Sequence, residues 1–284
     1  PIVLLIYLMV KRNAFPSYVA LPLIAGLVYL LQMFYFKNEF VLLNANIVSA
    51  IISVFTPISV IFGAVFFNRM MEASGAMNTL RQWLGNISPN PVAQLMIIGW
   101  AFAFMLEGAS GFGTPVAIAA PILVGLGFKP MPVVMLALVM NSVPVSFGAV
   151  GTPTWYGFKT LLDSGTINGD DVSKIGQITA LIHLIAGFVI PVLALRFIVS
   201  WKEIKQNALF ILISILSCTV PYFLIAQFNY EFPSLVGGAI GLFISVLVAG
   251  KGIGLSKTAE VQEKQSIPSS TLIKAFTPTL LLIV

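Results

Sequence analysis

Charge is scarce in this sequence. Only 9% of its 284 residues are charged, 15 Lys and Arg against 10 Asp and Glu, where a soluble domain carries about 25%. Stretches such as Asn44 to Asn68 hold no charge at all, which excludes an ordinary soluble domain. The net charge of +5 is not a nucleic-acid signal, because the cations lie mostly between apolar runs, as the positive-inside bias of membrane proteins requires. Cysteine is nearly missing. Cys218 stands alone in an apolar run, so no disulfide framework exists, and it reads as a small buried side chain. His183 is the single histidine, which leaves no His/Cys cluster for a metal. The alternation of period two that a porin-type barrel needs is also missing.

What is present is hydrocarbon: 58% of residues are hydrophobic and the mean hydropathy is +0.99. The fold class is therefore all-α, a polytopic helical membrane protein. A crossing helix needs about 20 apolar residues, and the full spans predicted on that basis are Tyr18 to Phe36, Asn44 to Asn68, Gly176 to Leu195, Ala208 to Gln227 and Ser234 to Ala249. Pro1 to Val10 and Leu272 to Val284 read as incomplete spans. The expectation is a single transmembrane domain over 1–284, truncated at both ends, with nine to ten membrane segments. Residues 250–271, rich in Lys, Glu, Gln and Ser, read as a solvated cytoplasmic loop. Lys11, Arg12, Arg69, Arg81, Lys129, Arg196, Lys202 and Lys205 are assigned to the inner side, and the Asp163–Asp171 loop to the outer side.

Two segments are short. Val92 to Leu106 is about 15 residues, roughly 22 Å long against a hydrocarbon core of ~30 Å, and Thr114 to Phe128 is equally short. The turn that joins them, Glu107–Gly113, should then sit within the membrane, where irregular backbone survives only under protein or against a wet cavity. Discontinuous helices broken by Gly and Pro are the sequence pointer to a transporter's site. Thr114-Pro115 reads as a helix start, with the hydroxyl as N-cap. Its positive end would face Gly108, Gly111 and Gly113, whose bare backbone lets an anion approach, with Ser110 beside them. Glu107 is expected to carry a proton, since an intramembrane carboxylate usually marks a proton or substrate pathway.

The Gly-Thr-Pro of residues 113–115 recurs at 151–153, within "GAVGTP". Between the two lies "NSVPVSFGA", where Pro144 breaks a helix and Asn141, Ser142 and Ser146 supply polar groups at a similar depth. Thr152 would begin a second helix facing the site. His183, Arg69 and Lys129 are secondary candidates; their plainer readings are a hydrogen-bonded structural histidine, an interface anchor and an orientation signal. Trp155 and Tyr156 fit an interfacial aromatic belt. "GASGFG" matches neither a dinucleotide fingerprint nor a nucleophile elbow, so an enzyme is not expected.

"FMLEGASGFGTPVAIAAPILVGLGFKP" (Phe104 to Pro130) and "NSVPVSFGAVGTP" (Asn141 to Pro153) closely resemble the L-lactate permease family of bacterial secondary transporters. The likeness extends over most of the chain, and family members are roughly twice as long. The resemblance implies proton-coupled import of L-lactate, glycolate or related 2-hydroxy monocarboxylates across the bacterial inner membrane. Three features depart from the pattern expected of many members: Ser110 in place of alanine, Pro121 within a helix, and the bulky "TPTWYG" stretch.

The combined expectation is a symporter with no cofactor beyond its coupling ion, H⁺, with Na⁺ as the alternative. Its partners would be a small organic anion and the lipid bilayer, not nucleic acid. The rival from another class is a structural membrane subunit whose glycines serve packing alone.

Overall fold

The computed structural model describes residues 1–111, 113–256 and 268–280. Among these residues every regular element is helical. The chain forms two compact units, residues 1–59 and 60–284.

In the first unit, α1 (Ile2–Val10) packs on α2 (Ser17–Phe34), and α2 on α3 (Phe40–Ser53). The Tyr29 hydroxyl donates to Asn44 Oδ1 at 3.3 Å. Buried hydrophobic side chains here are few, namely Ala20, Ile24 and Leu43. Outward-facing Leu, Ile, Val and Phe elsewhere suit a lipid solvent. The span predicted over Asn44 to Asn68 falls across two helices, α3 and α4 (Phe55–Ala73).

The second unit holds the core. A helix absent from the sequence reading, α5 (Ala76–Gly85), buries Met77, Leu80 and Leu84 on one face. Its Trp83 ring meets Phe276 edge-on at 5.4 Å. The next helix, α6, runs unbroken over Pro91–Ser110 and is almost wholly buried. Asn90 starts it, its Oδ1 accepting from Val92 N at 2.9 Å and Ala93 N at 3.2 Å, with Pro91 at the first position. Eight residues of α6, Leu95–Phe102, are wound as π-helix.

The remaining helices are α7 (Thr114–Gly125), α8 (Pro130–Asn141), a 3₁₀ turn over Val145–Phe147, α9 (Gly148–Gly157), α10 (Lys159–Asp163), α11 (Gly169–Leu195), α12 (Trp201–Gln206), α13 (Ala208–Ala226), α14 (Pro233–Gly250) and α15 (Ser269–Leu280). Reciprocal capping boxes open two of them, Asn168 with Asp171 for α11 and Ser200 with Glu203 for α12. The Ser200 hydroxyl and N–H hold the Glu203 carboxyl below its usual range.

α14 is the hub, packed against α13, α6 and α9. Its face of small residues allows this: a Cβ on Gly241 would fall onto Cys218 Sγ, and one on Gly237 would lie 2.8 Å from Cys218 O. Cys218 is fully buried there.

At the end of α6 where Asn90 sits, Asn90 Nδ2 donates to Asn207 Oδ1 at 3.1 Å, and Ser256 N donates to the same oxygen at 2.8 Å. The loop predicted over 250–271 is therefore tied down where it begins, and α15 already starts at Ser269. Residues 257–267 of that loop lie outside the described residues.

Six helices are long and apolar enough to cross a membrane among the described residues, or seven if α8 and the segment Val145–Asp163, bent by 66°, count as one.

Candidate functional site

Two helix breaks face each other, and the sequence builds both the same way. Gly113 (φ 79°, ψ 2°) precedes α7, and Gly151 (φ 72°, ψ 8°) precedes the straight part of α9. Both are left-handed, a conformation glycine adopts at no steric cost. Each is followed by a threonine and a proline. Thr114 Oγ1 donates to Gly111 O at 2.7 Å, and Thr152 Oγ1 donates to Ala149 O at 2.6 Å. The threonines are thus not N-caps as predicted. Gly113 occupies the cap position of α7, and both hydroxyls turn back to a carbonyl instead of reaching a helix N–H.

The second break carries more strain, because Ala149 (φ 43°) and Val150 (φ 52°) are left-handed as well. For a β-branched side chain that is a costly conformation, and such strain collects at functional sites. The breaks touch: a Cβ on Gly111 would lie 2.9 Å from the Ala149 nitrogen.

Glu107 lies beside this junction, in the last turn of α6, with 1% of its surface exposed. Asn141, at the end of α8, donates from Nδ2 to Glu107 Oε2 at 3.1 Å. Gly148 closes the other side, since a Cβ there would fall onto Glu107 Oε1. Phe104 and Phe147 each pack against the Tyr222 ring. The Tyr222 hydroxyl lies 2.6 Å from His183 Nδ1 and donates to Val143 O at 3.4 Å. His183 is therefore hydrogen-bonded to a buried tyrosine that ties down the carbonyl just before Pro144.

The first short arm needs correction. α6 does not stop at Leu106 but continues to Ser110, so Glu107 belongs to a helix and not to the connecting turn. Its 20 residues would span about 30 Å as pure α-helix. The π segment shortens it, because i→i+5 bonding packs more residues into each unit of length. The second arm is short as predicted, with 12 residues in α7. Protein encloses the acid: α6, α8 and the start of α9.

Other predicted site residues divide into separate places. Gly108 is not bare, because a Cβ on it would fall onto the Leu235 nitrogen in α14. Gly111 is likewise filled, by Ala149. Gly113 alone of the three opens on free space. Ser110 Oγ donates to Leu106 O at 3.0 Å and is also hydrogen-bonded to Thr114 Oγ1.

Thr114 opens on a cavity of about 210 Å³ shared with Arg69 and Glu72. Arg69 is mostly exposed and pairs with Glu72 at 3.5 Å. Ser146 lines a different cavity, about 220 Å³, with Thr154, Phe158 and Thr179. Ser142 is an exposed residue whose hydroxyl donates to Val139 O at 2.7 Å, and Lys129 is exposed ahead of α8. Neither joins the buried cluster: Ser142 is exposed just past the end of α8, and Lys129 lies at the far end of that helix from Glu107. Gly148 and Tyr222 went unremarked as individual residues. Gly148 stood inside the repeated motif, whereas nothing in the run around Tyr222 signals its partners.

The L-lactate permease family model matches residues 1–284. A Haemophilus influenzae protein named "Putative L-lactate permease" is 65% identical over 283 residues, covering 100% of this chain and 52% of that protein. The Escherichia coli K12 "L-lactate permease" is 26% identical over 99% of this chain and 52% of its own length. "Glycolate permease GlcA" of the same strain is 31% identical over 79% of this chain and 42% of its own length. The chain spans about half the length of the curated relatives it matches. No solved structure matches it. With its apolar helices and this family model along its full length, the chain belongs to the L-lactate permease family of multi-pass membrane proteins.

Proposed function

We propose that this chain forms part of a secondary transporter that carries L-lactate, and other short 2-hydroxy monocarboxylates such as glycolate, together with protons across the bacterial inner membrane. The observation that carries the reading is Glu107. It is a buried carboxylate that meets a neutral amide and backbone, with no cation at hydrogen-bonding distance among the described residues. An isolated buried charge is expensive, so the site favours loading an anion and a proton together, which lets it reorient with little net charge. The names of the relatives, lactate and glycolate permeases, support the substrate class. The paired helix breaks support a discontinuous-helix site of the kind found in secondary transporters.

Vesicles containing the full-length protein test this. An imposed proton gradient is expected to drive uphill L-lactate uptake, with glycolate competing. Glu107→Gln should abolish the uphill component while leaving lactate–lactate exchange across the membrane. A sodium gradient that drives uptake without protons, or unchanged proton-driven uptake in the Gln variant, would overturn the assignment.

A further inference from the structure

One buried polar atom at the site has no partner among the described residues: Asn141 Oδ1. The other end of that amide is engaged, with Nδ2 donating to Glu107 Oε2. A buried amide oxygen without a hydrogen bond is costly to keep. This is the orientation that an ionised Glu107 selects. An ionised carboxylate accepts hydrogen bonds and cannot donate one, so it draws the NH₂ end of Asn141 and turns the C=O end away. A protonated carboxyl has an O–H to give, and it satisfies the amide best when Oδ1 faces it. The same side chain, rotated by half a turn about its last bond, then presents NH₂ where the carbonyl had been.

We infer that Asn141 is a positioning residue that converts the protonation of Glu107 into affinity for the substrate anion. While Glu107 is ionised, the free end of the amide is an acceptor and repels a carboxylate. Once Glu107 takes up a proton, the free end is a donor and attracts one. Proton first, anion second becomes the favoured order. Release of the proton turns the acceptor back toward the anion and expels it. No bond other than that of the transferred proton is made or broken. The inference rests on the transport reading above and adds to it the residue that couples the two cargoes.

The surroundings leave this amide as the group best placed to sense the proton. The elements packed against the last turn of α6 are α7, the end of α8, the 3₁₀ turn, α9 and α14. Titratable groups on or next to them are Lys129 at the far end of α8, Tyr156 in α9 with Lys159 just beyond it, Tyr230 and Glu231 ahead of α14, and Lys251 just after it. Tyr222 and His183 lie behind the Phe104 and Phe147 rings. The side-chain hydrogen bond to the Glu107 carboxyl comes from Asn141.

The test uses the purified full-length protein and L-lactate binding at mildly acidic and mildly alkaline pH. The wild type is expected to bind about ten- to hundredfold more tightly at acidic pH, the worth of one hydrogen bond to a charged group. Asn141→Leu should bind weakly with that pH dependence lost, and Asn141→Gln, which keeps an amide, should restore it. In Glu107→Gln, whose own NH₂ can hold Oδ1 as a protonated acid would, binding should stay tight at both pH values. A folded Asn141→Leu protein with wild-type pH dependence overturns the inference while leaving proton-coupled transport intact. If Asn141→Leu does not fold, the decision falls to Glu107→Gln, where weak binding at both pH values overturns it. A wild type that neither binds lactate nor transports it would instead sink the transport reading, and this one with it.

Discussion

At the residue scale, Glu107 was legible because a carboxylate inside an apolar run has few innocent explanations. Asn141 was legible as a polar group at the right level, but its pairing with Glu107 was not, because 34 positions, a helix break and the whole of α7 separate them. Gly148 shows what pattern alone hides. It appears as one more small residue in a glycine-rich motif, yet its missing side chain is the space that the Glu107 carboxylate occupies. Gly148→Ala is therefore expected to act on the acid directly. Overpacking of a filled site costs about 1–3 kcal/mol, and here the neighbour that must move is the carboxyl proposed to carry the proton. Purified Gly148→Ala protein should melt a few degrees lower and lose most proton-driven lactate uptake. Wild-type uptake would mean that Glu107 can sit elsewhere without loss.

At the element scale, the sequence showed that helices break near Gly111 and again before Thr152, and both breaks are there. It misplaced the end of the first arm, because Gly108 was read as part of a turn. A glycine does not end a helix whose neighbours hold it. α6 continues through Gly108 because α14 lies against it so closely that no side chain fits. The approach is reciprocal: a Cβ on Gly238 of α14 would fall onto the Met105 nitrogen of α6. Small residues at such crossings let helix backbones meet in a membrane, where lipid supplies little drive for apolar side chains to associate. The strain at Ala149 and Val150 was invisible in sequence for a related reason. Left-handed alanine and valine are disfavoured locally, so only surrounding contacts can impose them. Gly108→Ala and Gly238→Ala should each destabilise the protein, because the obstructing atoms are main chain and cannot swing aside. Thermal melts in detergent without substrate would register the loss. Equal melting temperatures for wild type and both variants would argue that α6 and α14 are not locked together.

At the scale of the whole molecule, helical class and approximate spans followed from hydropathy, whereas the path of the short α7 did not. Twelve residues make about 18 Å of helix, too short for a ~30 Å core unless the chain starts from within it. The charges set the expectation for which way α7 returns. Arg81, Lys129, Arg196, Lys202 and Lys205 flank the apolar segments on one assigned side. On the other, Lys159 is paired with Asp163 at 3.0 Å, and Asp170 and Asp171 occupy the first turn of α11. The bias in Lys and Arg sets orientation, so Lys129 should be cytoplasmic whether α7 crosses fully or begins part-way down. Single-cysteine variants can read this directly, because Cys218 is fully buried and should stay silent to reagent. Asp163→Cys is expected to react with an impermeant maleimide added outside intact cells. Lys129→Cys and Lys202→Cys should react only after the membrane is opened. Labelling of Lys129→Cys from outside would place both ends of α8 on the wrong sides, and the facing helix breaks could not then lie where one bound anion is reached alternately from the two faces of the membrane.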